Sequence, residues 1–381
     1  MEASEILEII ARDEDSQHQF KSNVTNETAL AQEIIAFSNT LGGKLIIGVS
    51  DDGSLSGLTR EDMGRLSNLI SNAASQQVRP PVNPITENLS LPDGLVMVVH
   101  VSEGIAKPYM DKNGVIWVKS GADKRKATSR EEVQRMYQSA SLIHGDEVPV
   151  PYTTLSDIDM DALAAFYENE YGENLAEQDL PLQKLLENMN LSRDGKMNIA
   201  GMLLFGKNNQ HRLPAFIVKC VAYPGVDIDV EEYLDSQDMY GTLKTVFDNT
   251  LGFLLRNTKR VQNDQSVNSL GELEVPKIVF EELLANALIH RDFFISSPIR
   301  IFHFLDRIEI ISPGHLPNNL TIENIKSGNS NIRNPILASF ATKILPYRGL
   351  GSGIRRALKA YSKIEFIDNR DNNLFKVIIS Y

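Results

Sequence analysis

The sequence predicts an α/β chain built from more than one domain, and three observations carry that reading. Its 381 residues exceed the ~100–200 residues typical of one domain. Apolar residues make up 42% and charged residues 23%, a globular balance with enough apolar side chain for a core. Segments of helical period alternate with strand-length apolar runs along the whole chain.

The first ten residues read as a short amphipathic helix, with Ile6, Leu7, Ile9 and Ile10 beside Glu2, Glu5 and Glu8. A helix over Thr28–Asn39 runs into Gly42-Gly43, then a strand from Lys44 to Ser50 and the turn Asp51-Asp52-Gly53. A helix near Glu61–Ala74, the proline-marked stretch Pro80–Pro84, strands at Leu95–Val101 and Val115–Lys119, and a helix around Ser129–Ala140 complete this part. Two prolines in Pro149-Val150-Pro151 and the polar residues after them predict a linker through Ser156. Beyond it come helices at Asp159–Tyr171 and Leu180–Met189 and a strand-rich region over Ala200–Ala222. An amphipathic helix at Leu243–Leu255 follows, then a helix at Pro276–Arg291. Strands at Ile299–Phe304 and Ile308–Ser312, a helix from Ile354 and terminal strands end the chain.

Composition excludes several classes. A net charge of −12 weighs against non-specific coating of nucleic acid, because phosphate affinity comes from clustered Lys and Arg, so any such contact must be local. Apolar runs such as Leu45–Val49 and Leu95–Val99 fall well short of the ~20 residues a membrane helix needs. The acidic Met1–Glu5 start lacks a secretory pattern, so a cytoplasmic protein is expected, and the single Cys220 reads as a buried structural thiol.

Chemistry concentrates in two places. Glu282, Asn286 and His290 fall at i, i+4 and i+8, on one helical face. An amide oxygen suits Mg²⁺, and a carboxylate one turn earlier can orient water towards a terminal phosphate. The alternative is a helix whose polar side faces solvent. Downstream, Gly349-Leu350-Gly351-Ser352-Gly353 precedes a helix, a place where backbone N–H groups can approach phosphate, or an ordinary flexible connection. No Gly-x-x-x-x-Gly-Lys-Ser/Thr run occurs, which excludes a P-loop.

The second place is amino-terminal. Lys119 to Arg130 is the clearest basic cluster, with Lys119, Lys124, Arg125, Lys126 and Arg130 near the aromatic residues Trp117 and Tyr109. Cations for phosphates beside aromatics for bases suit nucleic acid, and a solvated charged loop is the rival.

Glu282–Asp292, then Asp306–Pro317, Arg333-Asn334-Pro335 and Gly351-Ser352-Gly353-Ile354 resemble the ATPase-like region of bacterial transcriptional regulators in the GHKL superfamily of gyrase, histidine kinases and MutL. The resemblance implies a Bergerat-type α/β sandwich that binds ATP and Mg²⁺. Glu282 would be the general base and Asn286 the metal ligand, and the glycine loop, with Gly349, Gly351, Ser352 and Gly353, would lie over the phosphates. His290 and Arg291 would lie nearby, and Ser312 and Gly314 would form the base-contacting turn. The superfamily's Asp-x-Gly-x-Gly box reads Ser312-Pro313-Gly314-His315-Leu316 here, so the carboxylate that accepts from adenine is missing.

Phe20-Lys21-Ser22-Asn23, Ile35–Gly43, Ile47–Gly53 and Gly57-Leu58 resemble the Schlafen AlbA-type domain, which implies nucleic-acid binding with Lys21 among the contacts. Asn39, Gly42 and Gly43 equally suit a helix end turning sharply into a buried strand. Schlafen nucleases carry three clustered acids; Glu14 and Asp51 (or Asp52) would be two, and Gln19 stands at the third position, which favours binding over cleavage. Asn198–Lys207 resembles the connecting part of the same regulators. With a terminal strand read at the end and no winged helix like that of many of these regulators, nucleic-acid contact is expected of the amino-terminal domain.

The expectation is therefore an AlbA-type domain at 1–145, a helical and strand connector at 155–235 and a GHKL-type α/β sandwich at 236–381. Such a protein would be an ATP-binding transcriptional regulator, a homodimer contacting DNA rather than RNA, with at most weak ATPase turnover. A metal-dependent nuclease or a catalytically silent scaffold is the alternative.

Overall fold

The computed structural model describes residues 3–92, 94–229, 231–262, 271–317 and 320–381. The chain is a mixed α/β, multidomain protein that divides into two units, Met1–Ile143 and His144–Tyr381.

In the first unit, α1 (Ala3–Ala11), β1 (His18–Lys21), α2 (Glu27–Asn39), β2 (Gly43–Ile47), α3 (Arg60–Asn72), β3 (Ile85–Leu91) and β4 (Gly94–Val101) precede a hairpin of β5 (Trp117–Ser120) and β6 (Asp123–Lys126) and then α4 (Arg130–Ser139). The sheet order is β1-β2-β4-β3, with β1 parallel to β2 and the other pairs antiparallel. Strand alternation sorts the core into two layers. Leu45, Ile47, Met97 and Val99 pack with Ile34, Phe37, Leu66 and Ile70 of α2 and α3, whereas Ile46, Val96 and Val98 pack with Ile6 of α1 and Phe20. Asn26 caps α2 by accepting the Ala29 amide (3.1 Å). The helix ends where Gly42, at φ +72°, donates to the Phe37 carbonyl, and a Cβ there would stand 2.7 Å from the Val101 carbonyl. Asn39 bonds both backbone groups of Tyr109 (2.7 and 2.8 Å) and the Trp117 carbonyl (2.9 Å), so this motif has a structural task.

The second unit contains α5 (Met160–Tyr171), α6 (Leu182–Asn188), α7 (Ile199–Phe205), β7 (Val218–Ala222), β8 (Asp235–Met239), α8 (Leu243–Asn257), α9 (Lys277–His290), β9 (Ile299–His303), β10 (Arg307–Pro313), α10 (Ile322–Ser327), α11 (Pro335–Ile344), α12 (Gly353–Ala360), β11 (Ile364–Asn369) and β12 (Leu374–Ser380). Six strands form one sheet in the order β8-β7-β9-β10-β12-β11, antiparallel except for the β7–β9 pair. Helix α9 is apolar on most sides and packs against α8, α12 and β10, which explains the burial of Phe280, Leu283, Leu284 and Ile289.

Two expectations change here. Residues 199–205 form a helix rather than a strand, because Asn198 accepts the Gly201 amide (2.8 Å) and caps a fully buried apolar turn. Pro149-Val150-Pro151, read as part of a linker, is tied into the second unit: Val150 is buried and its amide donates to the Met197 carbonyl (2.8 Å). Cys220 is buried, and burial pushes its thiol up to about 12. Among the described residues, no helix is long and apolar enough to cross a membrane.

Candidate functional site

The second unit holds an open cavity of about 1020 Å³, part of it solvent, between α9, the sheet and the loop before α12. Its floor is one face of three neighbouring strands: Ile310 and Ser312 of β10, Phe375 and Val377 of β12, and Phe366 of β11. Leu283 and Ala287 of α9 complete an apolar wall. The 349–353 loop and three arginines, Arg333, Arg348 and Arg356, line the same space. The cavity thus combines an apolar floor with three arginines, in a chain of net charge −12.

Glu282, Asn286, His290, Ser312, Gly314, Gly349, Gly351, Ser352 and Gly353 all line this space. The α9 spacing brings the first three to one edge. Glu282 is 2% exposed; its Oε1 accepts from Arg356 Nε (2.7 Å) and lies 2.5 Å from Nη2 in an ion pair, and its Oε2 is buried without a hydrogen-bond partner. Asn286 Nδ2 donates to the Glu282 carbonyl (2.6 Å), which orients the amide oxygen away as a hard donor. Gly353 lies so close that a Cβ would stand 2.4 Å from Glu282 Oε2 and 3.4 Å from Asn286 Nδ2. Glycine is required there to bring the loop onto the helix edge.

His290 Nε2 lies 3.2 Å from the Tyr347 hydroxyl, and burial, with Arg333 adding, holds its pKa at about 4, so the ring is neutral near pH 7. Burial and, second, Glu282 raise Tyr347, which stays a phenol. Ser312 Oγ donates to the Ala287 carbonyl (3.3 Å). His315 Nδ1 lies 2.7 Å from the Leu316 carbonyl, which can only accept, so Nδ1 carries the proton and Nε2 is an acceptor. Arg333 donates to the carbonyls of His290 (3.2 Å) and His315, anchoring the turn after β10 to the end of α9.

Arg291 departs from this group. It does not line the cavity: its guanidinium stacks on Phe216 (4.6 Å) and Phe293 (5.1 Å) and donates to the Ser297 carbonyl (2.6 Å), and burial lowers its pKa to about 10. Sequence reasoning left Arg348, Arg356 and Tyr347 unassigned and quoted Arg333 only as part of a motif; Arg355-Arg356 directly after Gly353-Ile354 was the available signal.

These residues fit a nucleotide with a divalent ion in part. The Asn286 amide oxygen, the glycine loop and the flanking Arg348 and Arg356 suit a metal-bound polyphosphate, and the apolar floor suits a base. Ser312, where the resemblance expects a base-reading carboxylate, offers only a hydroxyl. Among the described residues no three His, Cys, Asp or Glu side chains gather as a metal site.

In the first unit the basic cluster divides. Lys119 does not face solvent: its side chain is 1% exposed, donates to Gln19 Oε1 (2.6 Å) and the Ala122 carbonyl, sits 3.8 Å from Glu33 and lies over the Phe37 ring. Burial lowers its pKa. Lys124 pairs with Glu33 (2.5 Å), Lys21 with Asp51 (3.5 Å), and Arg125 takes both oxygens of Glu132 (2.8 and 3.0 Å). Lys126, lying over Trp117 at 5.6 Å, and Arg130, opening α4, are exposed. Tyr109 is buried. Glu14 Oε1 accepts from Gln19 (2.6 Å) and the Phe20 amide (2.6 Å), Asp51 faces Lys21 and Asp52 accepts from Ser54, so these acids serve separate partners.

Three family models match separate stretches: "Schlafen, AlbA_2" residues 14–128, "Domain of unknown function (DUF8451)" residues 134–219, and "Putative ATP-dependent DNA helicase recG C-terminal" residues 296–378. Glu282, Asn286 and His290 lie before the last stretch. Similar solved structures include the DIP2311 protein from Corynebacterium diphtheriae, 22% identical over 99% of this chain and 80% of that one, with a TM-score of 0.46. Another is the "N-terminal Domain of Putative ATP-dependent DNA Helicase RecG-related Protein from Nitrosomonas europaea". It is 20% identical, covers 34% of this chain and 96% of that one, and has a TM-score of 0.25. No curated protein matches the chain. The chain carries a Schlafen AlbA_2 domain in its amino-terminal part and a RecG-C-terminal-like domain near its carboxyl end.

Proposed function

We propose that this protein is a nucleotide-responsive, nucleic-acid-binding regulator of GHKL type, acting on transcription as a DNA-binding homodimer. The carboxy-terminal cavity would take ATP with Mg²⁺, and the AlbA-type domain would contact DNA. The observation that carries the reading is the cavity itself: residues from α9, the turn after β10 and the 349–353 loop, far apart in sequence, share one space lined by apolar side chains and three arginines. The RecG-C-terminal-like and Schlafen matches support nucleotide and nucleic acid as the two ligands.

In this reading Asn286 offers its amide oxygen to the ion, Gly349, Gly351 and Gly353 let backbone N–H groups approach phosphate, and Arg348 adds charge. His315 Nε2, neutral because burial lowers its pKa, is the acceptor available near Ser312 for an exocyclic amino group. Without nucleotide, Glu282 is held in an ion pair with Arg356 and is not free to take a proton from water until that pair opens. On the first unit, Lys126 and Arg130 are the cations best placed for phosphate.

Calorimetry of the full chain with ATP and Mg²⁺ tests the nucleotide half: heat is expected for wild type and little for Asn286→Ala, and no heat for wild type removes this half. Fluorescence anisotropy of labelled DNA, with and without the nucleotide, tests the coupling. Identical affinities under the two conditions would leave two unconnected binding activities.

A further inference from the structure

We propose that Arg356 is the residue that receives the terminal phosphates and that Glu282 holds it parked, so that a polyphosphate and the Glu282 carboxylate compete for one guanidinium. The inference rests on the nucleotide reading of the cavity and adds how ligand entry is controlled.

Arg356 stands one turn into α12, immediately behind the glycine loop, and lines the cavity. All three of its guanidinium nitrogens face protein partners. Nε and Nη2 both reach Glu282 Oε1, and Nη1 donates to Ser352 Oγ at 3.0 Å. The carboxylate gains little symmetry from this: both contacts fall on one oxygen, and Oε2 is left buried and bare against Gly353. A counter-ion serving stability alone would be expected to satisfy both oxygens in a fork-to-fork pair. The side chains also differ in freedom. Glu282 is 2% exposed on the buried helix α9, whereas the Arg356 side chain is 31% exposed on the cavity rim. The arginine is therefore the partner that moves.

Phosphate oxygens satisfy a guanidinium as a carboxylate does and bring more charge. Arg333 is not free for this task, since its donors hold the carbonyls of His290 and His315. A polyphosphate entering over the loop meets Arg356 first in its clasp and must draw it off Glu282. Affinity is thus set by a contest inside the protein, and a mononucleotide that does not reach Arg356 avoids the contest.

The test is calorimetry on the full chain with two probes, a non-hydrolysable ATP analogue with Mg²⁺ and AMP. Glu282→Gln keeps the shape and removes the competing charge, so analogue affinity is expected to rise several-fold with AMP unchanged. Arg356→Gln is expected to weaken the analogue about tenfold to a hundredfold and AMP little. Because Arg356→Gln strands a buried carboxylate and can fail to fold, the double variant Glu282→Gln/Arg356→Gln provides the same comparison against Glu282→Gln, with melting curves confirming a folded chain. Wild type that binds the analogue while Glu282→Gln fails to bind it more tightly, or while the arginine variants bind it equally, overturns the clasp and leaves the nucleotide reading standing. Wild type that binds neither probe overturns both.

Discussion

Lys119 shows how far a single side chain departs from what its neighbours in sequence suggest. It sits in a basic run that reads as a phosphate-binding surface, yet Gln19 and Glu33, about a hundred positions away, bury it as the cation of an internal polar network. Lys119→Met is expected to destabilise the protein by about 3 kcal/mol by stripping a buried carboxylate of one partner, read by thermal unfolding. Lys126→Ala and Arg130→Ala should leave the melting point alone and lower DNA affinity, each reducing the slope of log affinity against log salt by about one. The pattern reversed between these sites would place the nucleic-acid surface elsewhere. Asp146 makes a second residue-level test. It is fully buried, accepts the Leu337 amide at the start of α11 (2.9 Å) and leaves Oδ1 unpartnered; burial raises its pKa to about 6. A carboxyl raised when folded stabilises fully below its unfolded pKa and loses that contribution as pH rises through about 6. His290 and His303, both held at about 4, act in the opposite sense, stabilising above about 6.5 and losing that as pH falls towards 4, and do so alike in wild type and variant. Asp146→Asn should therefore melt above wild type at pH 7.5, by up to about 3 kcal/mol, with the gain shrinking towards pH 4.5. A gain independent of pH would mean that the carboxylate is not the source.

At the level of elements, what periodicity governs was legible. The i, i+4, i+8 placement on α9 and the glycine run before α12 could be read directly, and both border the cavity. What tertiary context decides was not. Residues 199–205 are a short apolar run that either period accommodates, and the Asn198 cap settles it as helix. Strand β8, with the sequence Asp-Ser-Gln-Asp-Met, has no apolar alternation and exists because β7 offers it a ladder. The loop before α12 also depends on a distant element: Gly351, at φ +68°, places a would-be Cβ 2.2 Å from the carbonyl of Gly328, the residue that ends α10. Gly351→Ala meets backbone there, not a side chain that can move. It is expected to cost at least about 1–2 kcal/mol and to weaken nucleotide binding by shifting the loop, measured by denaturant unfolding and calorimetry. Unchanged stability would show that the loop is not braced.

For the whole molecule, an α/β chain of several domains follows from length and alternation, and the structure agrees. The apolar clusters fall within one unit or the other, the first two below residue 120 and the largest beyond residue 149. Each unit buries its own core, so fragments 1–143 and 144–381 are each expected to fold cooperatively alone, the first keeping DNA affinity and the second nucleotide affinity. Loss of cooperative unfolding in either fragment would show that stability is shared across the division. Arg291 marks the limit of reading chemistry from adjacency: next to His290 in sequence, it turns instead into an aromatic cage of Phe216 and Phe293. The most direct test of the account as a whole is hydrogen–deuterium exchange on the full chain with and without ATP and Mg²⁺. Added protection is expected over residues 277–290, 312–316 and 349–360, which contribute to the cavity lining. Exchange left unchanged in all three segments at saturating nucleotide would contradict it.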